Sequence, residues 1–236
     1  MIKKTDFLFI ALLFAPALCC AQEALLGGMV QSDRWIIRKD KMEEEFSGNV
    51  SYKNNIYDIR ADYGLSNHKE KTFDLRGRIR ASMLNKGNKV SLTAERFFYD
   101  RKRDKGFAVP AKGRQLEISY KTINNNFKAY ADRLDFSEKL SLYKTQGNCE
   151  LDDINNTLYA DKMEFNQNNG VFNAEGGRPV LWGFREDGDY AIQADTMTAH
   201  TQDGFFKANG RVRGWVVSAK QFPNLTQGNK NGTKIL

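Results

Sequence analysis

The chain has 236 residues, with 36 Lys and Arg against 29 Asp and Glu and a formal net charge of +7. That length holds one β-rich domain or two small ones, and the basic balance favours anionic partners such as phosphates and acidic lipid head groups, or simply gives a soluble basic surface. Only three cysteines are present, two of them at Cys19 and Cys20.

The first element is a leader. Lys3 and Lys4 precede a 12-residue apolar run, Phe7 to Leu18, and "CCA" places small residues at −3 and −1 of a cut after Ala21. This pattern predicts a cleavable secretory signal peptide over residues 1–21. Twelve apolar residues are too few to cross a bilayer, which takes roughly 20. Lipoprotein processing at Cys19 or Cys20 fits less well, because "PAL" and "ALC" make poor lipoboxes. The chain from Gln22 then keeps one cysteine, Cys149, and carries 34 basic against 28 acidic side chains. A disulfide-stapled secreted domain is thereby excluded. Nucleic acid is the poorest anionic partner for an exported chain, and none is expected.

Next comes "KDKMEEEF" (Lys39–Phe46), the one candidate helix after the leader. From there on, short alternating runs are punctuated by turn-like "KNN", "NKGN", "INNN", "NQNNG" and "TQDG", the signature of successive β-hairpins. "DLRGRIRA" (Asp74–Ala81) is the most regular run. Leu75, Gly77, Ile79 and Ala81 fall on one side and Asp74, Arg76, Arg78 and Arg80 on the other.

A degenerate repeat organises these strands. Ala followed by an acid recurs at Ala61-Asp62, Ala94-Glu95, Ala131-Asp132, Ala160-Asp161 and Ala194-Asp195, with gaps of 33, 37, 29 and 34 residues. Twelve residues after the Ala stands an aromatic (Phe73, Tyr143, Phe172, Phe206) and sixteen after it a glycine (Gly77, Gly147, Gly176, Gly210). The second repeat departs from this, with Phe107, Pro110 and Gly113, and so does "GGRPVLWGFREDGDY" (Gly176–Tyr190). Each unit reads as strand, turn, strand. The acid after Ala points outward or marks a bulge. Cys149 takes the place of Ile79 and Val212 in sister units and reads as a small buried hydrophobe. The fold class predicted is all-β: a two-sheet, stacked-hairpin β-jelly roll with a repeat of about 33 residues, two open ends and unpaired edges.

The chemistry of an enzyme is missing. His68 and His200 stand beside turns, no Cys/His cluster has metal spacing, and no Gly-x-Ser-x-Gly elbow or phosphate loop occurs. Asp152-Asp153 and Glu43–Glu45 lie in polar runs and read as solvated. The Ala-acid series lacks the further oxygen ligands a metal ladder needs. No metal, cofactor or catalysis is expected. The alternative is a binding interior. Phe73, Leu75, Gly77, Ile79, Leu92, Phe127, Ile192, Phe206, Gly210 and Val212 are the candidate lining of an acyl groove, with Gly77 and Gly210 holding a slot open. Each methylene buried there contributes about 0.8 kcal/mol. The outward Arg76, Arg78, Arg80, Arg211 and Arg213, with Lys207, are candidates for the phosphates of the same lipid. The bland reading of the inner residues is a filled core.

"FSGNVSYKNNIYDIRADYG" (Phe46–Gly64) and the "AD…F…G.V" units at 160–176 and 194–212 resemble the OstA-like lipopolysaccharide-transport periplasmic family, its LptA-like bridge most of all. The resemblance covers about residues 46–216, and sets the domain at 22–220, followed by a polar, weakly patterned tail at 221–236. It implies a periplasmic β-jelly roll that shelters the lipid A acyl chains of lipopolysaccharide between the inner and outer membranes. It also implies end-to-end strand pairing with related jelly-roll domains of inner- and outer-membrane components, or with further copies as a homo-oligomer, and no hydrolysis. A membrane-anchored, LptC-like partner of the same machine shares the fold and is the first alternative. A purely structural exported β-repeat protein with a filled core is the second.

Overall fold

The computed structural model describes residues 28–85, 88–121, 126–137, 142–153, 155–166, 168–185, 188–200 and 205–218. The predicted signal peptide (1–21) and tail (221–236) lie outside the described residues. Eighteen strands and no helix occur among those residues. They are β1 (Met29–Gln31), β2 (Arg34–Arg38), β3 (Glu43–Lys53), β4 (Tyr57–Asn67), β5 (Thr72–Asn85), β6 (Asn88–Asp100), β7 (Lys105–Val109), β8 (Leu116–Lys121) and β9 (Asn126–Ala131). The second half holds β10 (Arg133–Ser137), β11 (Leu142–Asp152), β12 (Asn156–Asn166), β13 (Val171–Glu175), β14 (Val180–Arg185), β15 (Gly188–Gln193), β16 (Thr196–His200), β17 (Phe206–Asn209) and β18 (Arg213–Ser218).

"KDKMEEEF" is not a helix. Residues 39–42 form a turn and Glu43 opens β3. A helix this short is marginal by itself, whereas the strand pairs with both β2 and β4 and sets Glu45 against Arg38 at 2.5 Å.

Two antiparallel faces run the length of the molecule. One is ordered β2-β3-β4-β5-β6-β7-β10-β11-β12-β13-β16-β17. The other is ordered β1-β3-β4-β5-β6-β8-β9-β11-β12-β14-β15-β18. The long strands β3, β4, β5, β6, β11 and β12 belong to both. The ladder slips midway along them, between Ser47 and Val50, Arg60 and Tyr63, Arg76 and Ile79, and Gln146 and Cys149. These slips stack into one corner where every pass of the chain bends. The section is a V, with the corner at its apex and hairpin turns along its open rim.

The recurring Ala-acid pair builds the corner. Ala61, Ala94, Ala131, Ala160 and Ala194 are buried at the apex, where Ala61, Ala94, Ala131 and Ala160 pair with the larger Val50, Ile79, Leu116 and Cys149. The acid turns outward onto the glycine fifteen residues later. Gly77 has φ +75° and Arg78 φ +45°, and a Cβ on Gly77 would stand 2.7 Å from Asp62 Cβ. Left-handed backbone disfavours a side chain, and Asp62 fills the space a side chain would need. The Asp195 N–H donates to the Asn209 and Gly210 carbonyls at 2.9 Å each. The carboxylate then takes the residue after the glycine: Asp33 with Asn49, Asp62 with Arg78, Asp132 with Asn148, Asp195 with Arg211. The irregular second repeat crosses the corner by the longer 110–115 connection, where Gln115 donates to the Asn148 carbonyl at 2.8 Å. "GGRPVLWGFREDGDY" keeps the pattern as β14 and β15 after a corner at Gly176–Pro179.

Candidate functional site: the interior of the V

Because paired residues share a face, the registers define the inner walls. Along one face runs Phe46–Gly64–Leu75–Phe97–Ala108–Leu134–Thr145–Met163–Ala174–Met197–Ala208. Along the other runs Tyr52–Ile59–Ala81–Leu92–Ile118–Ala129–Leu151–Leu158–Leu181–Ile192–Gly214. Apart from the buried Thr145 the walls carry no polar side chain in these rows beyond the Tyr52 hydroxyl, and they meet in one core. Small and aliphatic groups occupy the apex; aromatics (Phe73, Tyr99, Phe136, Tyr143, Phe165, Phe172) stand towards the rim. Tyr120 is a buried inner residue whose hydroxyl has no hydrogen-bond partner, and burial pushes its pKa up.

Among the described residues nothing covers either end of this interior. At the first end Trp35, Ile37 and Val30 are exposed on β2 and β1, with Trp35 against Phe46 at 5.3 Å. At the last end Val216, 80 % exposed, continues the row of Gly183 and Tyr190. The edges β1, β2, β17 and β18 each have a neighbour on one side only among the described residues.

Comparison with known families matches residues 29–171 to the family described as LptA/(LptD N-terminal domain) LPS transport protein. The match spans well over half the chain, from β1 to the start of β13. The chain belongs to this family. It is a family of lipopolysaccharide transport proteins and not of enzymes. Among solved structures the chain is similar to LptH of Pseudomonas aeruginosa, described as the LptA-homologous periplasmic component of the lipopolysaccharide transport device. The identity is 10%, over 64% of this chain and 83% of that one, with a TM-score of 0.34. Comparison with curated proteins found no match.

Seven of the ten residues expected to line a groove in this family member do point inward. Leu75, Ile79 and Phe127 are buried, and Phe73, Leu92, Ile192 and Phe206 pack against the core. The other three do not line it. Gly77 and Gly210 face Asp62 and Asp195 across the corner, so they allow the bend and hold no slot open. Val212 is exposed, because among the described residues no further strand covers it at the last repeat. Cys149 is buried as expected, and burial pushes its thiol pKa up.

The arginines expected to meet phosphates lie on the outer walls, and three are engaged by carboxylates. Arg78 holds Asp62 at 2.6 Å and Arg211 holds Asp195 at 2.8 Å. Arg76 and Arg96 share Asp74, which is only 7 % exposed although it faces outward. Desolvation pushes the Asp74 pKa up, but the hydrogen bonds from Arg76 and Arg96 outweigh it and hold the carboxyl below its ordinary value. Arg96 and Arg133 also lie over Phe107 at 5.4 and 4.6 Å. Arg80 and Arg213 are exposed on the outer side and make no ion pair among the described residues. Sequence reading missed the positive charge at the rim, where the turns 39–42, 68–71 and 101–104 stack. The signal was present as three separate basic turns, which only the strand order brings together.

Proposed function

We propose that the chain is a periplasmic carrier that shelters the acyl chains of lipopolysaccharide between the two faces of the V and passes them along a stack of related domains. The observation that carries this reading is the continuous, largely apolar interior, left uncovered at both ends among the described residues. Family membership supplies the cargo class. The buried Tyr120 hydroxyl supports it as well, since an orphaned donor is costly and an acyl carbonyl would satisfy it. Stacking is supported by strand parity. All pairings are antiparallel and each face has an even number of strands among the described residues. A second copy's β1 and β2 would therefore meet β18 and β17 in the same antiparallel sense, and edge pairing needs no new geometry.

The test is lipopolysaccharide binding by the chain from Gln22, with a phospholipid and a neutral detergent as controls. Saturable binding competed by lipid A is the expected result. A second reading, a structural β-repeat protein, draws on the close packing at the apex, where Ile79, Leu116, Ala131 and Ala174 are wholly buried. A folded chain that binds no lipid would establish that reading instead.

A further inference from the structure

One stretch of the rim carries a cluster of basic side chains. The turns 39–42, 68–71 and 101–104 carry Lys39, Lys41, Lys69, Lys71, Arg101, Lys102 and Arg103 against Asp40, Glu70 and Asp104, a net of +4. All seven cations are exposed. The turns join β2 to β3, β4 to β5 and β6 to β7, so they succeed one another every second strand, roughly 10 Å apart. They are tied together: the His68 N–H donates to the Met42 carbonyl at 2.8 Å, the Arg101 N–H to the Lys71 carbonyl at 3.0 Å, and Lys102 pairs with Glu70 at 3.1 Å. Lys39, Lys41, Lys69 and Lys71 form no ion pair among the described residues. Farther along the same rim, Asn168–Gly170 carries no charge at all.

This ledge borders the interior. Phe73 and Tyr99, inner aromatics, stand within two residues of its turns, and the Tyr99 hydroxyl donates to Asp104 at 2.8 Å. At its first end an open pocket of about 230 Å³ is lined by Ile37, Arg38, Lys39, Met42, Glu43, Glu44 and His68. Its carboxylates are occupied, Glu44 by His68 at 3.0 Å and Glu43 by Asn67 at 3.1 Å.

We infer that the ledge of Lys39, Lys41, Lys69 and Lys71 is the phosphate-recognition element for the cargo, gripping the phosphate groups of an anionic glycolipid whose acyl chains lie between the faces. The inference rests on the carrier reading and assigns it a specificity determinant. Four unpaired ammonium groups on a tied ledge complement a phosphorylated head group leaving the rim, and charge-assisted bonds to phosphate are the strong ones. The outer-wall arginines paired with Asp62, Asp74 and Asp195 are already engaged.

The experiment compares diphosphoryl and monophosphoryl lipid A binding to the chain from Gln22 and to K39Q/K41Q/K69Q/K71Q, with circular dichroism to verify the fold. A third arm uses neutral phospholipid vesicles doped with an anionic phospholipid. Loss of one phosphate should weaken the unsubstituted chain about tenfold. The quadruple variant should bind both forms alike. A variant that still discriminates overturns the assignment, as does an unsubstituted chain that binds both forms equally well. If the substitutions abolish only vesicle binding, the ledge serves a membrane surface and the cargo assignment fails. If neither form of lipid A binds the unsubstituted chain, the carrier reading itself falls.

Discussion

Gly77→Ala tests how the corner is built. At φ +75° an alanine costs about 1–2 kcal/mol for its backbone conformation alone. The new Cβ also stands 2.7 Å from Asp62 Cβ, so one of the two must move. Forcing such a contact adds roughly 1–3 kcal/mol. Gly113 supplies the control, because it has the same φ of +75° and nothing within 4 Å of where its Cβ would be. Gly113→Ala should therefore show the conformational cost by itself. In urea unfolding with a slope of about 2 kcal/mol per molar, each further kcal/mol lowers the midpoint by about 0.5 M. The midpoint of Gly77→Ala should fall well below that of Gly113→Ala. In an Asp62→Gly background the extra loss should vanish, giving a coupling of at least about 1 kcal/mol. Equal losses for Gly77→Ala and Gly113→Ala, or no coupling to Asp62, would refute the clamp and leave the glycine with only a backbone role.

Asp74 should make stability acid-sensitive: its folded pKa is depressed, so its contribution is complete above the ordinary carboxyl value near 3.9 and is lost as pH falls through the folded pKa. Asp74→Asn should flatten that limb of the acid-unfolding curve; an unchanged limb means that Arg76 and Arg96 do not stabilise the carboxylate. Cys149 should react with a thiol reagent at pH 8 at least a hundredfold faster in urea than in the native chain, because its thiol is buried and its pKa raised; fast native labelling would show that the apex opens. If copies stack through their edges as proposed, the chain should show concentration-dependent self-association in light scattering, and Val216→Lys, which places a charge on the inner side of the last edge strand, should abolish it while leaving the circular dichroism intact; undiminished assembly would exclude β18 as the pairing edge.

Period-two patterning is a local property, and what depends on it was legible. In β5 the alternation of Phe73, Leu75 and Ile79 against Asp74, Arg76 and Arg78 is the inner and outer side seen in the fold. The repeat also marked the corner, since an acid changing parity after a small residue is what a bulge requires. The partners were not legible, because register is non-local. Arg78 meets Asp62 sixteen residues earlier, and Asp74 takes Arg96 from the next strand; nothing in "DLRGRIRA" distinguishes a free outward arginine from one bound across a ladder. Gly77 lies at an inner-parity position but bends away from the interior through a left-handed φ, which alternation does not encode. The rim ledge escaped for the same reason. Lys41, Lys69 and Lys102 are about thirty residues apart along the chain, and only the stacking of alternate hairpins makes them neighbours.

The same construction decides where the molecule can yield to a cargo. At the apex the two faces are one continuous backbone, clamped by an acid at most crossings and filled by alanines together with Ile79, Leu116 and Cys149, so separation there breaks covalently linked ladders. At the rim the faces are held together only by side chains, chiefly aromatics, whose contacts are individually weak and non-directional. Parting the rim exposes apolar surface at about 25 cal/mol per Å², and an acyl chain entering between the faces covers that surface again. The cost of opening is therefore offset by the ligand that needs the opening, and nothing comparable offsets opening at the apex. On the carrier reading, a V hinged at its clamped corner would close on its own core when empty and admit extended chains from the rim or the ends. The cationic turns are then correctly placed, outside the apolar interior and beside the line along which a head group would remain in water.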